Sequence, residues 1–155
     1  MDRESGIAWL GLARVQRLLG HTEQATETLT RARRLLPDED PSAAAESALL
    51  CLDKGDLEGA TQHIDAASIR GEGAIVSYVR GNIAARQGHL RSALTYFDEA
   101  IQIDPTHVRA RLNRTSIHMA NEDAQSALDD AKVLLELAPG LALAKLRRAE
   151  ATMML

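Results

Sequence analysis

Three residue types recur along this chain at one interval, and that interval constrains the fold more than any local pattern does. Pro37, Pro105 and Pro139 are spaced by 68 and 34 residues, two periods and then one. Ala25, Ala60, Ala93 and Ala127 follow at steps of 35, 33 and 34, so a one-residue insertion near Asp40 is cancelled by a deletion near Gly71 to Gly73. Gly20, Gly55 and Gly88 keep the same steps, and Glu122 stands where a fourth Gly would fall. A period of roughly 20–50 residues means stacked copies of one small unit, none of which can bury its apolar face alone.

In register, a single domain over residues 1–155 divides into four units, 6–40, 41–73, 74–107 and 108–141, with a partial fifth at 142–155. Each unit reads as two antiparallel helices. In the third, residues 75–87 end at Gly88, the residue type that most easily takes a left-handed turn after a helix, and 90–103 run on to Asp104-Pro105. Asp56 and Asp123 stand at the starts of second helices, where a carboxylate meets unpaired backbone N–H groups. Glu122 in the glycine place carries a conformational cost. The Arg70-Gly71-Glu72-Gly73 link makes unit two the one expected to be irregular or mobile.

Composition fits a stack of helices. Aromatic residues make up 3% of the chain, so its interior must be built from small side chains in close approach. The formal charge of −4 argues against a general polyanion binder. Cys51, the one cysteine, has no partner for an internal disulfide and reads as a buried small hydrophobe. Charges at Asp2, Arg3, Glu4, Arg14 and Arg17 interrupt any signal-peptide core, and no stretch reaches the roughly 18 apolar residues of a membrane span.

On these residues the chain resembles the tetratricopeptide repeat family, whose pattern is a large residue, Leu, a small residue, then Gly, Ala, an aromatic, Ala and Pro. Unit three supplies Gly81, Gly88, Ala93, Phe97, Ala100 and Pro105; unit one supplies Trp9, Leu12, Ala13, Gly20, Ala25, Leu29, Ala32 and Pro37. The small residues Ala13, Ala48, Gly81, Thr115 and Ala149 on first helices are expected to let the alanines of second helices approach. Departures are Thr115, Glu122, Ala131 for the aromatic, Leu134 for Ala, and no Pro closing unit two. The resemblance implies an all-α, right-handed α-solenoid of stacked helix pairs, about four units plus one extra helix.

In such a stack the first helices line a concave groove. Projecting their inner faces gives Arg14 and Arg17, Leu49, Tyr78 and Asn82, Arg109, Leu112 and Asn113, then Leu146 and Arg147 as candidate groove residues. Leu and Tyr supply apolar area, while Asn and Arg fix backbone or carboxylate groups. The expected function is therefore a scaffold or adaptor that receives a peptide or a partner's helix. Chaperone-binding members of the family hold a terminal carboxylate with two Lys, two Asn and an Arg. Asn82, Asn113 and Arg147 stand in matching places here, but Tyr78 and Leu143 replace the lysines, which leaves at most a degenerate clamp helped by Arg109 or Lys145.

No catalytic constellation stands out, and no cofactor or metal is expected. His118 and Glu122 lie four apart on a helix but want a third ligand. Gly71-Glu72-Gly73 lacks the Lys-Ser/Thr of a phosphate-cradling loop, and Ser5, Ser42, Ser68 and Ser77 have no His at a motif spacing. Arg31, Arg33 and Arg34 sit at a helix C-terminus, where the dipole favours cations, so neither nucleic acid nor membrane is an expected partner. Met153, Met154 and Leu155 close the chain on an apolar note in an unfinished unit, which reads as a fragment of a longer protein or an end covered by a second copy. The alternatives to an adaptor are accordingly a self-associating structural module or a recruitment segment of a larger enzyme. The expected location is cytoplasmic.

Overall fold

The computed structural model describes residues 3–37, 40–68 and 73–155, and every regular element among them is an α-helix. They are α1 (Arg3–Leu18), α2 (Thr22–Leu35), α3 (Pro41–Asp53), α4 (Leu57–Ser68), α5 (Ala74–Arg86), α6 (Leu90–Ile103), α7 (Val108–Ala120), α8 (Ala124–Leu137) and α9 (Ala142–Met154). The Arg70-Gly71-Glu72 part of the link expected to be irregular lies outside the described residues.

The turns between paired helices obey one backbone rule. Gly20, Gly55 and Gly88 adopt φ of 79°, 80° and 79°, and Glu122 adopts 60° at the fourth equivalent place. The left-handed conformation is free of steric cost only for glycine, so the fourth turn is built against its own residue. Second helices start on acidic caps. Asp56 accepts the Gly59 N–H at 2.8 Å and Asp123 accepts that of Ser126 at 3.1 Å; the Ser126 side chain first, and then its backbone N–H, holds the Asp123 carboxyl below the usual range. Asp40 caps α3 through Ser42 and Ala43, with Pro41 in the first turn. Pro37, Pro105 and Pro139 each follow a helix end by two residues.

Close approach of small residues sets the pairing. Ala13, Ala48, Gly81 and Thr115 are buried on α1, α3, α5 and α7, as are Ala25, Ala60, Ala93 and Ala127 on the facing second helices. Gly81 is the tightest: a Cβ there would lie 2.5 Å from the ring of the fully buried Phe97. Ala149, expected to meet a second helix in the same way, is exposed instead, because α9 packs on α8 behind it and no second helix follows it among the described residues. Cys51 is half-buried at the edge of the core rather than inside it.

Unit four fills its interior differently. Arg111, on α7, is buried and bonds Asp130 of α8 at 3.1 Å, and Arg114 bonds the same carboxylate as well as Asp98 of α6 at 2.6 Å. Hydrogen bonding to Asp130 more than offsets the burial of Arg114 and raises its pKa further above an already high value.

Helices α1 with α2, α3 with α4, α5 with α6 and α7 with α8 form the pairs. First helices also touch their successors, α1 on α3, α3 on α5 and α7 on α9, whereas no second helix packs comparably on the next one among the described residues. Each second helix also packs on the first helix of the following unit, so that successive units approach more closely on the first-helix side and the stack curves with the first helices on the inner side.

Candidate binding groove

The N-terminal part of this inner face is neutralised from within. On α3, Glu46 is 2% exposed in an otherwise apolar or small-residue stretch, and it accepts Arg14 Nε at 3.2 Å and Arg17 Nε at 2.5 Å from α1. Arg17 also reaches Asp53 at 3.0 Å. Burial works against the Arg17 charge, but Glu46 and Asp53 outweigh it and its pKa is raised. Arg14 keeps a half-exposed side chain, while Arg17 is spent on its two acids.

Two apolar candidates are withdrawn from the surface. Leu49 is 6% exposed because α3 is flanked by α1 on one side and α5 on the other. Tyr78 is 8% exposed because the His107 ring covers it, with centroids 4.9 Å apart, and Phe97 lies behind it at 6.2 Å. His107 also caps α7, its Nδ1 accepting the Ala110 N–H at 3.1 Å. That bond requires a neutral imidazole nitrogen, and burial pushes the His107 pKa below its ordinary value.

The C-terminal part remains open. Asn113 Nδ2 donates to Asn82 Oδ1 at 2.6 Å, tying α7 to α5 across the groove floor. Arg109 and Leu112 are half-buried on the same face of α7 as Asn113, spaced i, i+3 and i+4. Leu143 and Leu146, one 34-residue period after Arg109 and Leu112, are 41% and 51% exposed on α9. Arg147, in the period after Asn113, pairs with Glu150 on its own helix at 2.8 Å.

The ten sequence candidates therefore separate. Arg17, Leu49 and Tyr78 are inside; Asn82 and Asn113 hold each other; Arg147 is paired; Arg14, Arg109, Leu112 and Leu146 present accessible surface. Glu46, Asp53 and His107 were missed. A lone carboxylate in the run Ala-Ala-Ala-Glu-Ser-Ala-Leu-Leu was a signal, since a buried Glu is rare unless paired. At the other end of the inner face, a cleft of about 350 Å³ lies between α1 and α3, lined by Ile7, Leu10, Arg14, Asp40 and Ser42 among others.

His118 bonds Asp123 at 3.2 Å, and among the described residues no group of three His, Cys, Asp or Glu side chains is placed to hold a metal ion. No described helix is long and apolar enough to cross a membrane.

The tetratricopeptide repeat family pattern matches residues 78–142, within units three and four. Among solved structures, pilF of Pseudomonas aeruginosa aligns with a TM-score of 0.78 at 20% identity, over 99% of this chain and 70% of that one. A chain of the APC/C hetero-tetramer Cut9-Hcn1 aligns with a TM-score of 0.74 at 16% identity, over 94% of this chain but only 29% of that one. The second tetratricopeptide domain of human RPAP3, solved in complex with an HSP70 peptide, gives 0.61 at 18% identity, over 72% and 98% of the two chains. No curated protein sequence matches this chain. The chain has the fold of an α-solenoid of stacked helix pairs, and its residues 78–142 match the tetratricopeptide repeat pattern.

Proposed function

We propose that this protein is an interaction scaffold, without catalytic activity of its own, that receives a peptide or a partner's helix on its inner face. The observation that carries this is the accessible strip formed by Arg109, Leu112, Leu143 and Leu146 beside the bonded Asn82 and Asn113. Exposed leucines at a repeat-spaced position, with cations and amides alongside, offer what an extended or helical peptide needs: apolar area and groups that fix its orientation. The RPAP3 domain, of the same fold, was solved with a bound peptide, which supports a peptide as the class of ligand. Arg14, Asn82, Asn113 and Arg147 remain groove contacts in this reading; Arg17, Leu49 and Tyr78 act beneath the surface.

The test is a display selection of random peptides on the intact protein. Selected peptides are expected to lose binding to Leu146→Ser and Leu112→Ser variants whose circular dichroism is unchanged. Peptides that bind both variants as well as the parent would place the contact elsewhere.

A second reading, self-association, rests on a separate observation. Leu12, Val15 and Leu18 on α1 and Leu19 just after it are 43–65% exposed, and Met153 in the last turn of α9 and Leu155 after it are 87% and 69% exposed. Such faces favour burial against another surface. Light scattering over a concentration series is expected to show rising mass under this reading, and a constant monomer mass rejects it.

A further inference from the structure

The net charge of −4 conceals a separation of sign that begins at α5. The first helices α5, α7 and α9 carry eight cations, Arg80, Arg86, Arg109, Arg111, Arg114, Lys145, Arg147 and Arg148, against one acid, Glu150. The second helices α6 and α8 carry five acids, Asp98, Glu99, Asp129, Asp130 and Glu136, against Arg91 and Lys132. The inner layer of this half is basic and the outer layer acidic. In the other half, α1 and α3 hold three cations and three acids, so no such separation arises there.

Internal pairing removes some of the inner charge but not all. Arg111 and Arg114 are engaged by Asp130 and Asp98, and Arg147 by Glu150. Arg109 makes no ion pair with an acid among the described residues, and its charge adds to burial in lowering the His107 pKa. It shares a helix face with Leu112 and stands one period before the exposed Leu143.

We infer that the groove of units three to five selects an acidic segment carrying leucine-like side chains, with Arg109 as its charge contact and Leu112, Leu143 and Leu146 as its apolar seat. This rests on the peptide reading above and narrows it by charge complementarity. The segment is internal: Asn82 and Asn113 are bonded to each other and Arg147 is paired with Glu150, so these side chains are not left to converge on a chain-terminal carboxylate. Single-stranded nucleic acid is disfavoured by the same geometry, because Tyr78, the aromatic on this inner face, is covered by His107 and offers no stacking surface.

The test is fluorescence anisotropy with a labelled peptide of paired Glu and Leu residues, amidated at its C-terminus. The acidic peptide is expected to bind about tenfold more tightly than the same peptide with Gln for Glu, a difference that shrinks in high salt. Arg109→Gln is expected to erase most of that difference while leaving the Gln peptide's affinity unchanged, and a free C-terminal carboxylate should add nothing. Equal binding of acidic and Gln peptides, dependence on a free carboxylate, or displacement by a thymidine oligonucleotide overturns the inference. If the Gln peptide binds, is weakened by Leu146→Ser, and gains nothing from Glu, the groove reading stands and the acidic preference falls. If Leu146→Ser affects no peptide of any charge, the groove reading itself falls.

Discussion

Unit three closes around an aromatic ring, whereas unit four, its neighbour in the same architecture, closes around charges. In unit three Phe97 enters the space left by Gly81, the turn carries Gly88, and Pro105 follows the second helix. In unit four Ala131 stands in the aromatic place, Glu122 takes the turn, Leu134 is fully buried, and Arg111, Arg114 and Asp130 bond together in the helix pair. Both interiors are closed, one by shape and the other with the help of a buried ion-paired network. The first tolerates no added atom; the second tolerates no missing partner.

The largest effect is expected from truncating the ring. Phe97→Ala removes a fully buried side chain and should cost about 4 kcal/mol by denaturant titration, in line with other buried aromatic truncations. Asp130→Ala comes next at about 3 kcal/mol, because two guanidinium groups lose a shared acceptor in a buried place. The triple change Arg111→Met, Arg114→Leu and Asp130→Leu should recover most of that loss, since a buried ion cluster is often replaceable by apolar groups of similar volume. A triple variant as unstable as Asp130→Ala would show that unit four needs its charges for more than mutual satisfaction.

Smaller effects sharpen the contrast at the turns and at the seam between the two units. Glu122→Gly is expected to stabilise by about 1 kcal/mol and Gly88→Ala to destabilise by a similar amount, both read from thermal midpoints. Equal and negligible shifts would mean that the turns do not constrain the pairs. At the seam, His107 has a folded pKa below its ordinary 6.5, so the folded state binds fewer protons than the unfolded one. Its contribution is complete above pH 6.5 and is lost as pH falls through the lower folded value. Exchange of the Ala110 amide should therefore quicken on mild acidification, and His107→Asn, which keeps an acceptor that does not titrate, should remove that response.

What could be read from the sequence was whatever recurs. Gly20, Gly55, Gly88 and Pro37, Pro105, Pro139 mark chain reversals because they answer a backbone demand that every unit repeats. Asp56 and Asp123 were legible as caps for the same reason. The groove was legible only as a face. Arg14 and Arg17 share a side of α1, but their partner Glu46 lies 32 and 29 residues away on another helix, and a period says which residues share a side without saying which of them bond. Tyr78 escaped because its cover, His107, lies in a turn outside the first-helix pattern. Leu49 escaped because α3 is enclosed from both sides, so its inward positions belong to the core.

Each unit seats its second helix on the following first helix and adds lighter first-to-first contacts along the inner edge, and this has a mechanical corollary. Opening the hollow would part α1 from α3, α3 from α5 and α7 from α9. Tightening it must also shift α3 on α2, α5 on α4, α7 on α6 and α9 on α8, the broader seats between units. A guest that fits the hollow as it stands is thus held at little elastic expense, while one that alters the curvature must move that whole row of seats.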